Sequence, residues 1–575
     1  MSAATSRVLD HEVDPGSRRA RRHPARTRGP SPGLLLAGLA VAAAAVLPAV
    51  YLVIRASEPG VDRMLEVATA GRTMELLVRT ALLAVSVTGA SILIAVPLAW
   101  LTVRSDLPLR RMWVVLTALP LAIPTYVGGF TFVAALGPRG LVQGWLAPLG
   151  VDRLPSIYGF PGAWLALTLF TYPYVLLTVR AALRRIDPAL EEASRTLGRG
   201  RIATFWHVTL PQLRPSITAG ALLVALYTLS DFGAVSLLRF DSFTRVIFAQ
   251  YRGSLDRSAA ATLGLMLMAL TLVVLTAETR TRGRSGYHRL HGSGARASVT
   301  TPLGRWRWPA FAACSVLVTI ALALPLGVIG YWLARGIAAG EPLRLTTTLA
   351  ANSVVASALG AVAALAAAWP VAVLAARHPG RVSGLIERAS FTGYALPGVV
   401  VALSLVFFGA RVVPAVYQTR TLLVFAYVVL FLPQAVGALR ASLLQVPPSL
   451  EEASRLLGKR RLATTRQVVF PLVRPGVLAG LALVFLTCMK ELPATLLLAP
   501  TGHATLATQV WNATSEAFFG RAAAPALALV LLSSLPMALL VLRESEREPS
   551  SSTDPSADRL PLDDPVRRSA PGPTS

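Results

Sequence analysis

The sequence has few cysteines and few charged side chains. Its only 2 cysteines, Cys314 and Cys488, both lie within apolar segments, which excludes a disulfide framework and a cysteine-based metal site. Charged residues make up 15% of the 575 residues and apolar types 54%, far from the composition of soluble globular domains. A soluble multidomain enzyme is therefore excluded, and an integral membrane protein is predicted.

Acidic residues and lysines are also scarce. The chain has 29 acidic against 55 basic residues, a net charge of +26, and only Lys459 and Lys490 are not arginine among the basic ones. An excess of this size would indicate nucleic acid in a soluble chain, but these arginines are spread over many loops instead of one folded domain. We therefore expect no nucleic-acid partner, and the preference for arginine indicates a bacterium with a GC-rich genome.

Long apolar runs are what the sequence has in abundance. Read with a window of about 19 residues, they predict about twelve membrane-spanning helices and an all-α membrane protein. The runs lie near residues 33–54, 80–103, 112–136, 161–179, 216–238 and 258–277, and then near 309–334, 350–376, 389–410, 421–439, 476–500 and 522–542. Each group of about six helices is predicted to be one half of the protein.

The polar segments set the predicted domains and topology. Residues 1–32 read as a disordered, Arg-rich cytoplasmic tail, 33–277 as a first repeat, 278–308 as a basic linker, 309–543 as a second repeat, and 544–575 as a disordered tail. Most basic residues fall in loops on the side of the N-terminus, so the positive-inside rule places both termini in the cytoplasm. A cleaved signal peptide at the N-terminus is the alternative.

A duplicated motif relates the two halves. The run Glu191-Glu192-Ala193-Ser194-Arg195 recurs as Glu451-Glu452-Ala453-Ser454-Arg455 without gaps in the surrounding segment. Because an even number of crossings separates the copies, both lie on the cytoplasmic side and the halves are parallel repeats. Such a duplication predicts a pseudo-two-fold axis and a two-fold partner, or two copies of one partner.

Each copy is predicted to form a cytoplasmic hairpin of two short helices. A proline starts the first helix, a glycine, Gly198 or Gly458, ends it, and Pro211 or Pro471 stops the second before the chain re-enters the membrane. Both loops are about thirty residues long, whereas connections of 2 to 8 residues suffice between helices. The alternative is that the hairpins only connect helices.

The hairpins resemble the EAA signature of permease subunits of binding-protein-dependent ABC importers. The signature has Glu-Ala-Ala, then Gly, then Ile-x-Leu-Pro; here serine replaces the third residue twice and Phe470 replaces the leucine once. The resemblance implies a type I fold whose hairpins dock on a separate ATPase. The residues that it assigns to this coupling are Glu192, Ala193, Gly198 and Pro211 in the first hairpin and Glu452, Ala453, Gly458 and Pro471 in the second.

The resemblance also implies partners for a pore-forming subunit of the plasma membrane that is not itself an enzyme. The chain lacks a P-loop, because its Gly458-Lys459 pair is followed by Arg460. We therefore expect no cofactor on this chain, two copies of an ABC ATPase subunit that uses ATP and Mg, and an extracytoplasmic substrate-binding protein. An ion-coupled secondary transporter remains the main alternative, since it also has two parallel halves.

Ionisable residues inside predicted spans are candidates for the substrate path. Asp231 and Glu491 occupy matching positions in the two repeats, Lys490 adjoins the second, and Tyr227 precedes the first. Their oxygens suit a cationic or metal cargo, although whether they ligate a metal stays open. The alternative is structural, in which Lys490, a backbone amide or water satisfies each carboxylate.

Three further segments resemble fused ferric-iron permeases. They are Leu119–Tyr126, Ser230–Val235 and Met489–Thr495. The resemblance implies ferric iron as the cargo, with thiamine or another small solute as the alternative, because fused thiamine permeases share the layout. Prolines 120, 124, 173, 397 and 433 fall inside predicted spans and are expected to kink them, as gating hinges or as packing kinks.

Overall fold

The computed structural model describes residues 29–138, 140–151, 153–253, 257–281, 300–341 and 344–546. Within these ranges all the regular secondary structure is helical. The β-type pairing there is an isolated bridge between Ser105 and Thr301. The predicted all-α fold class is confirmed. Most of the two predicted tails and most of the linker (1–28, 282–299 and 547–575) lie outside the described residues.

The α-helices are numbered in chain order. Helices α1 to α13 are Pro32–Ser57, Val61–Thr69, Gly71–Arg104, Arg110–Leu116, Thr125–Leu136, Leu141–Leu146, Phe160–Leu183, Pro188–Thr196, Arg201–Thr204, Leu210–Ser230, Gly233–Leu237, Phe243–Gly253 and Ser258–Thr281. Helices α14 to α25 are Arg307–Val318, Leu324–Ala338, Arg344–Arg377, Arg381–Ser390, Gly398–Arg411, Arg420–Gln445, Pro448–Leu456, Arg461–Thr464, Phe470–Lys490, Pro493–Leu498, Leu506–Ser515 and Phe519–Glu546.

Nine helices in the described ranges are long and apolar enough to cross a membrane, or up to 11 spans if each of two bent pairs counts as one. They fall on eleven of the predicted apolar runs. The twelfth run, near 522–542, lies on α25, a helix of 28 residues whose first part, Phe519–Ser534, is apolar. A multi-spanning helical protein is thus confirmed, while the total of about twelve stays a prediction.

Two predicted spans are wrong in shape. The runs near 112–136 and 389–410 were expected to be single crossings, but the chain bends by 94° between Arg110–Ala122 and Thr125–Leu149 and by 104° between Arg381–Ala395 and Gly398–Arg411. Pro124 and Pro397 stand at these breaks in extended conformation. The residue before each is extended as well, because a following proline disfavours the α region.

The other predicted kink sites behave differently. Pro173 and Pro433 lie inside the continuous helices α7 and α19, and Pro120 lies in a 3-10 turn, Leu119–Ala122. Neighbouring helices can satisfy the backbone groups that a proline leaves free in a spanning helix. A proline alone therefore does not decide whether a span breaks.

The described residues fall into two compact units. The first comprises the described residues within Met1–Ala84, Leu226–Arg280 and Thr347–Gln509, and the second comprises those within Val85–Ala225, Thr281–Thr346 and Val510–Ser575. Each unit thus combines the middle of one half of the sequence with terminal segments of the other. The compact units do not coincide with the sequence repeats, whose bounds stay a prediction.

In the first unit, α1 packs on α17 and α18, α19 packs along α22, and α18 packs on α23. Small residues allow these helices to approach closely, as in other membrane helix interfaces. A Cβ atom on Gly38 of α1 would lie 3.4 Å from Ile386 of α17, and one on Gly480 of α22 would lie 3.0 Å from the Cβ atom of Ala438 of α19. This core is almost entirely aliphatic.

In the second unit, α15 packs along α25 and α5, and α5 packs on α7. A Cβ atom on Gly336 would lie 3.0 Å from the carbonyl oxygen of Gly520, and one on Gly128 would overlap the ring of Phe170. Glycine at these positions therefore sets the distance between the helices. The buried guanidinium of Arg180 donates to the carbonyl of Val114, at 3.1 Å.

Candidate functional site

The first predicted hairpin (residues 187–209) is built from α8, α9 and the π-helical turn that leads into α10. The second (residues 447–469) is built from α20, α21 and the π-helical turn that leads into α22. Helix α8 begins at Pro188, and the Asp187 carboxylate accepts a hydrogen bond from the Ala189 amide, at 3.0 Å. This side chain satisfies one of the free N–H groups of the first turn.

A glycine ends the first helix of each hairpin, as predicted. Gly198 has φ +83° and Gly458 has φ +81°, a left-handed conformation that only glycine adopts without strain. The following amide reaches back to the serine carbonyl five residues earlier, from Arg199 to Ser194 and from Lys459 to Ser454, at 3.2 Å in both hairpins. Both turns are therefore Schellman motifs.

The prediction that Pro211 and Pro471 stop the second helix is wrong. A π-helical turn covers Phe205–Thr209 and another covers Thr465–Val469, and each leads directly into the spanning helix, α10 or α22. Each proline is the second residue of its spanning helix, so its missing N–H falls where the wider turn already changes the bonding pattern. The second arm of each hairpin is thus continuous with a spanning helix.

A hydroxyl pair closes each hairpin. Ser194 and Thr204 share a hydrogen bond of 3.2 Å, and Ser454 and Thr464 share one of 3.1 Å. All four side chains are buried. The serine that replaces alanine in the third position of the EAA signature therefore joins the two arms.

The outer surface of each hairpin is exposed and partly apolar. Glu192, Ala193, Glu452 and Ala453 are exposed, and the side chains at the turns, Leu197 and Leu457, are 83% and 81% exposed. The outer surface of each hairpin therefore carries both a carboxylate and a leucine side chain that is almost fully exposed.

The first glutamate of each copy was not singled out from the sequence, and it points inward. Glu191 lies 3.9 Å from Arg104, the last residue of α3, and accepts a hydrogen bond of 3.0 Å from Thr209. Glu451 lies 2.8 Å from Arg377, the last residue of α16. The sequence did contain a signal for these contacts. A glutamate precedes the EAA glutamate in both copies, and an arginine ends an apolar run earlier in each half.

The end of the predicted linker meets the first hairpin. Thr301 bonds to the backbone of Arg104 and Asp106, and the Asp106 carboxylate accepts from the Leu303 amide at 2.8 Å. Arg201 of the hairpin donates to the Pro302 carbonyl at 3.1 Å. Residues 301–303 therefore connect the end of α3 to the first hairpin.

Asp231 and Glu491 were expected inside spans, and this is wrong in detail. Helix α10 ends at Ser230 and α22 ends at Lys490, so both carboxylates lie at helix breaks. Asp231 accepts from the amides of Ala234 and Val235, at 3.0 and 3.3 Å, and Glu491 accepts from the Ala494 amide, at 3.2 Å. Each carboxylate caps the next short helix, an effect that an average over apolar residues cannot detect.

The four residues predicted for the substrate path, Tyr227, Asp231, Lys490 and Glu491, all belong to the first unit. Tyr227 lies one turn before Asp231 on the chain. Glu491 is partly buried beside α18, where a Cβ atom on Gly398 would lie 2.6 Å from its Oε1 atom. Among the described residues, no three His, Cys, Asp or Glu side chains come together in a way that could hold a metal ion.

Two segments of the chain, residues 91–280 and 368–544, match the family described as binding-protein-dependent transport system inner membrane component. The chain belongs to this family. The two matches confirm that the transport module is duplicated within one chain. Membership makes the chain a multi-pass inner membrane component of a transport system, in agreement with its apolar helices.

Relatives in this family include ferric-iron permeases. The chain is 36% identical over 497 residues to the Fe(3+)-transport system permease protein FbpB 2 of Haemophilus influenzae, covering 86% of this chain and 95% of that protein. It is 26% identical to the ferric transport system permease protein FbpB of Actinobacillus pleuropneumoniae, over 71% and 62% of the two chains. These matches confirm the resemblance to fused two-domain permeases.

A solved structure of a bacterial ABC transporter that imports the acidic polysaccharide alginate is also similar. It has 18% sequence identity and a TM-score of 0.35, over 41% of this chain and 89% of that chain.

Proposed function

We propose that the chain is the permease subunit of an ATP-driven importer of ferric iron. The observation that carries the cargo is the 36% identity to an Fe(3+)-transport permease over 95% of that protein's length. Identity that extends across both halves includes the helices that would line a substrate path, and not only the hairpins that transport systems of this family share. Thiamine or another small solute is the alternative cargo.

The two hairpins are the proposed docking sites for two copies of an ABC ATPase subunit. Glu192 and Glu452 would contact the ATPase surface, with Ala193 and Ala453 allowing close approach. The exposed leucines at the turns, 83% and 81% exposed, support this role, because water-exposed apolar side chains gain free energy when a partner covers them. ATP and Mg would act on the ATPase, and this chain would bind no cofactor.

The remaining partners follow from the same proposal. A substrate-binding protein would deliver iron on the extracytoplasmic side, and both termini would lie in the cytoplasm, as the arginine distribution favours. Asp231 and Glu491, with Tyr227 and Lys490 beside them, would line the path, since hard oxygen ligands suit ferric iron.

Uptake of labelled iron tests the cargo. Cells that lack the gene should take up labelled ferric iron poorly, and restoring the gene should restore iron uptake while leaving labelled thiamine uptake unchanged. If thiamine uptake instead depended on the gene, thiamine would replace ferric iron as the proposed cargo. Iron uptake that continues without any ATPase would favour an ion-coupled secondary transporter instead.

Copurification tests the docking sites. The double variant Glu192→Ala with Glu452→Ala should recover less ATPase from membranes, while the spectroscopic helix content of the purified permease stays unchanged. Glu66→Ala is the matched control, because Glu66 is an exposed glutamate on α2, outside both hairpins. Equal ATPase recovery from the wild type, the double variant and Glu66→Ala would refute the docking role of Glu192 and Glu452.

A further inference from the structure

Two arginines hold corresponding positions beside the two hairpins. Helices α3 and α16 are both 34 residues long and both end in arginine, Arg104 and Arg377. Each guanidinium contacts the backbone just before its hairpin as well as the first glutamate of the hairpin. The same arrangement in both halves indicates a function that both hairpins need.

Arg104 is almost completely buried. Its Nη2 atom donates to the carbonyls of Leu183 and Ile186, at 3.2 and 2.9 Å, and lies 3.9 Å from Glu191 Oε1. Its side chain is 4% exposed. One guanidinium therefore holds the end of α7, the segment that enters the hairpin, and the first helix of the hairpin.

Arg377 makes the equivalent contacts in the other half. Its Nη2 atom donates to the carbonyl of Val446 at 3.0 Å, and its Nε atom lies 2.8 Å from Glu451 Oε1. Val446 is the counterpart of Ile186 in the repeat. Arg455 also contacts Glu451, at 3.1 Å, so this carboxylate is held from both sides.

The two glutamates of each copy thus face opposite ways. Glu191 is buried and tied to a spanning helix, whereas Glu192 is exposed. Besides the contacts of residues 301–303 with the first hairpin, Glu191 and Arg104 join that hairpin to the end of α3, and Glu451 and Arg377 join the second hairpin to the end of α16. A planar guanidinium suits this role, because it can hold a carboxylate and carbonyl groups at fixed relative positions.

We propose that Arg104 and Arg377 are positioning residues that couple hairpin movement to the helices α3 and α16. The proposal rests on the proposed function, since it requires an ATPase that moves the hairpins. Docking uses the outer surface, with Glu192 and Glu452, and transmission uses the inner contacts, with Arg104–Glu191 and Arg377–Glu451. Loss of the arginines therefore separates ATPase binding from transport.

The Arg104–Glu191 and Arg377–Glu451 contacts differ in one neighbouring side chain, so the two arginines should not be equally important. Thr209 donates to Glu191 at 3.0 Å, and its counterpart in the second half is Val469, which has no hydroxyl. Without Arg104, Glu191 keeps the hydrogen bond from Thr209 and the contact with Arg195 at 4.0 Å, whereas without Arg377 Glu451 keeps the contact with the partly exposed Arg455. Transport depends more on Arg377 than on Arg104.

The experiment compares Arg104→Gln, Arg377→Gln and the double variant in complexes with the ATPase, reconstituted in lipid vesicles. ATPase recovery should stay at the wild-type level, while ATP hydrolysis stimulated by iron-loaded binding protein should fall by roughly 2- to 30-fold, the range for residues that carry coupling between sites. The fall should be larger for Arg377→Gln. Arg411→Gln is the matched control, because Arg411 pairs with Glu58 away from the hairpins.

Arg377→Lys provides a second test that keeps the charge. Lysine can still pair with Glu451 but has no fork to hold the Val446 carbonyl at the same time, so stimulated hydrolysis should recover in part. This variant also decides the case if the glutamine variants do not fold. Full activity of Arg377→Lys would refute the need for a guanidinium.

Several outcomes would overturn the proposal. Normal stimulated hydrolysis and normal iron uptake in the double glutamine variant would do so, and so would an ATPase recovery that falls in parallel with transport, because the arginines would then only shape the docking surface. A wild-type chain that recovers no ATPase would overturn the proposed function as well. A wild-type chain that recovers ATPase, with unaffected variants, would overturn only the role of the arginines.

Discussion

The glycine at the turn of each hairpin gives the sharpest quantitative prediction. Gly198 and Gly458 have φ values of +83° and +81°, and nothing lies within 4 Å of a Cβ atom built on either. An alanine there would clash with no neighbour, so the whole cost of the substitution comes from the backbone. For an L-residue in the left-handed region this cost is about 1–2 kcal/mol.

Amide hydrogen exchange measures this cost directly. The Arg199 and Lys459 amides donate the bonds that close the two turns, each at 3.2 Å. Gly198→Ala should speed exchange of the Arg199 amide, and Gly458→Ala that of the Lys459 amide, by roughly 5- to 30-fold, which is 1–2 kcal/mol expressed as an equilibrium constant. The turn of the unsubstituted hairpin should exchange as before.

The matched control lies two residues along the chain. Gly200 has φ −64° and equally open surroundings, and its counterpart in the second hairpin is already Arg460. Gly200→Ala should therefore leave exchange unchanged or slow it slightly, since alanine restricts the unfolded chain. Wild-type exchange in Gly198→Ala, or equal acceleration in Gly200→Ala, would refute the assignment of the cost to the left-handed turn.

Three other substitutions test contacts in the first unit. Ser454→Ala should lower the unfolding temperature, because the buried Thr464 hydroxyl loses its hydrogen-bond partner at a cost of about 1–3 kcal/mol. Adding Thr464→Val should restore most of the unfolding temperature, and no recovery would contradict the pairing. Asp231→Asn should impair iron uptake but keep its thermal stability, since asparagine also caps helices, whereas unaltered uptake would assign Asp231 to capping alone. Gly398→Ala should destabilise the protein by about 1–3 kcal/mol, because its Cβ would lie 2.6 Å from the Glu491 carboxylate. Adding Glu491→Asp should reduce this loss of stability, as measured by thermal unfolding. An unchanged loss of stability would argue against this contact.

Hydropathy and the internal repeat were enough to predict the helical membrane fold and the two hairpins. Both signals are averages or self-matches over many residues, so they tolerate local error. The turn glycines could be placed because a glycine after a short polar helix has one common use. The family match at residues 91–280 and 368–544 covers both hairpins.

Features that depend on one side chain could not be predicted in this way. A hydropathy window gives the same value whether Asp231 continues a helix or caps the next one, so the end of α10 at Ser230 was missed. Pro124 stands at a helix break and Pro173 lies inside a continuous helix, a difference that the presence of a proline alone does not predict. The contact of Arg104 with Glu191 joins residues far apart in sequence, and only the fold brings them together.

The make-up of the first unit has a consequence for biosynthesis. Its early segments end at Arg280, but the unit is completed only by Thr347–Gln509, so these early helices must wait in the membrane while the ribosome continues. At about 5–20 residues per second this wait lasts roughly 10 to 45 s. A gene cut between the two repeats would therefore yield fragments that depend on each other for folding, and co-expression of both would be needed to recover the protein.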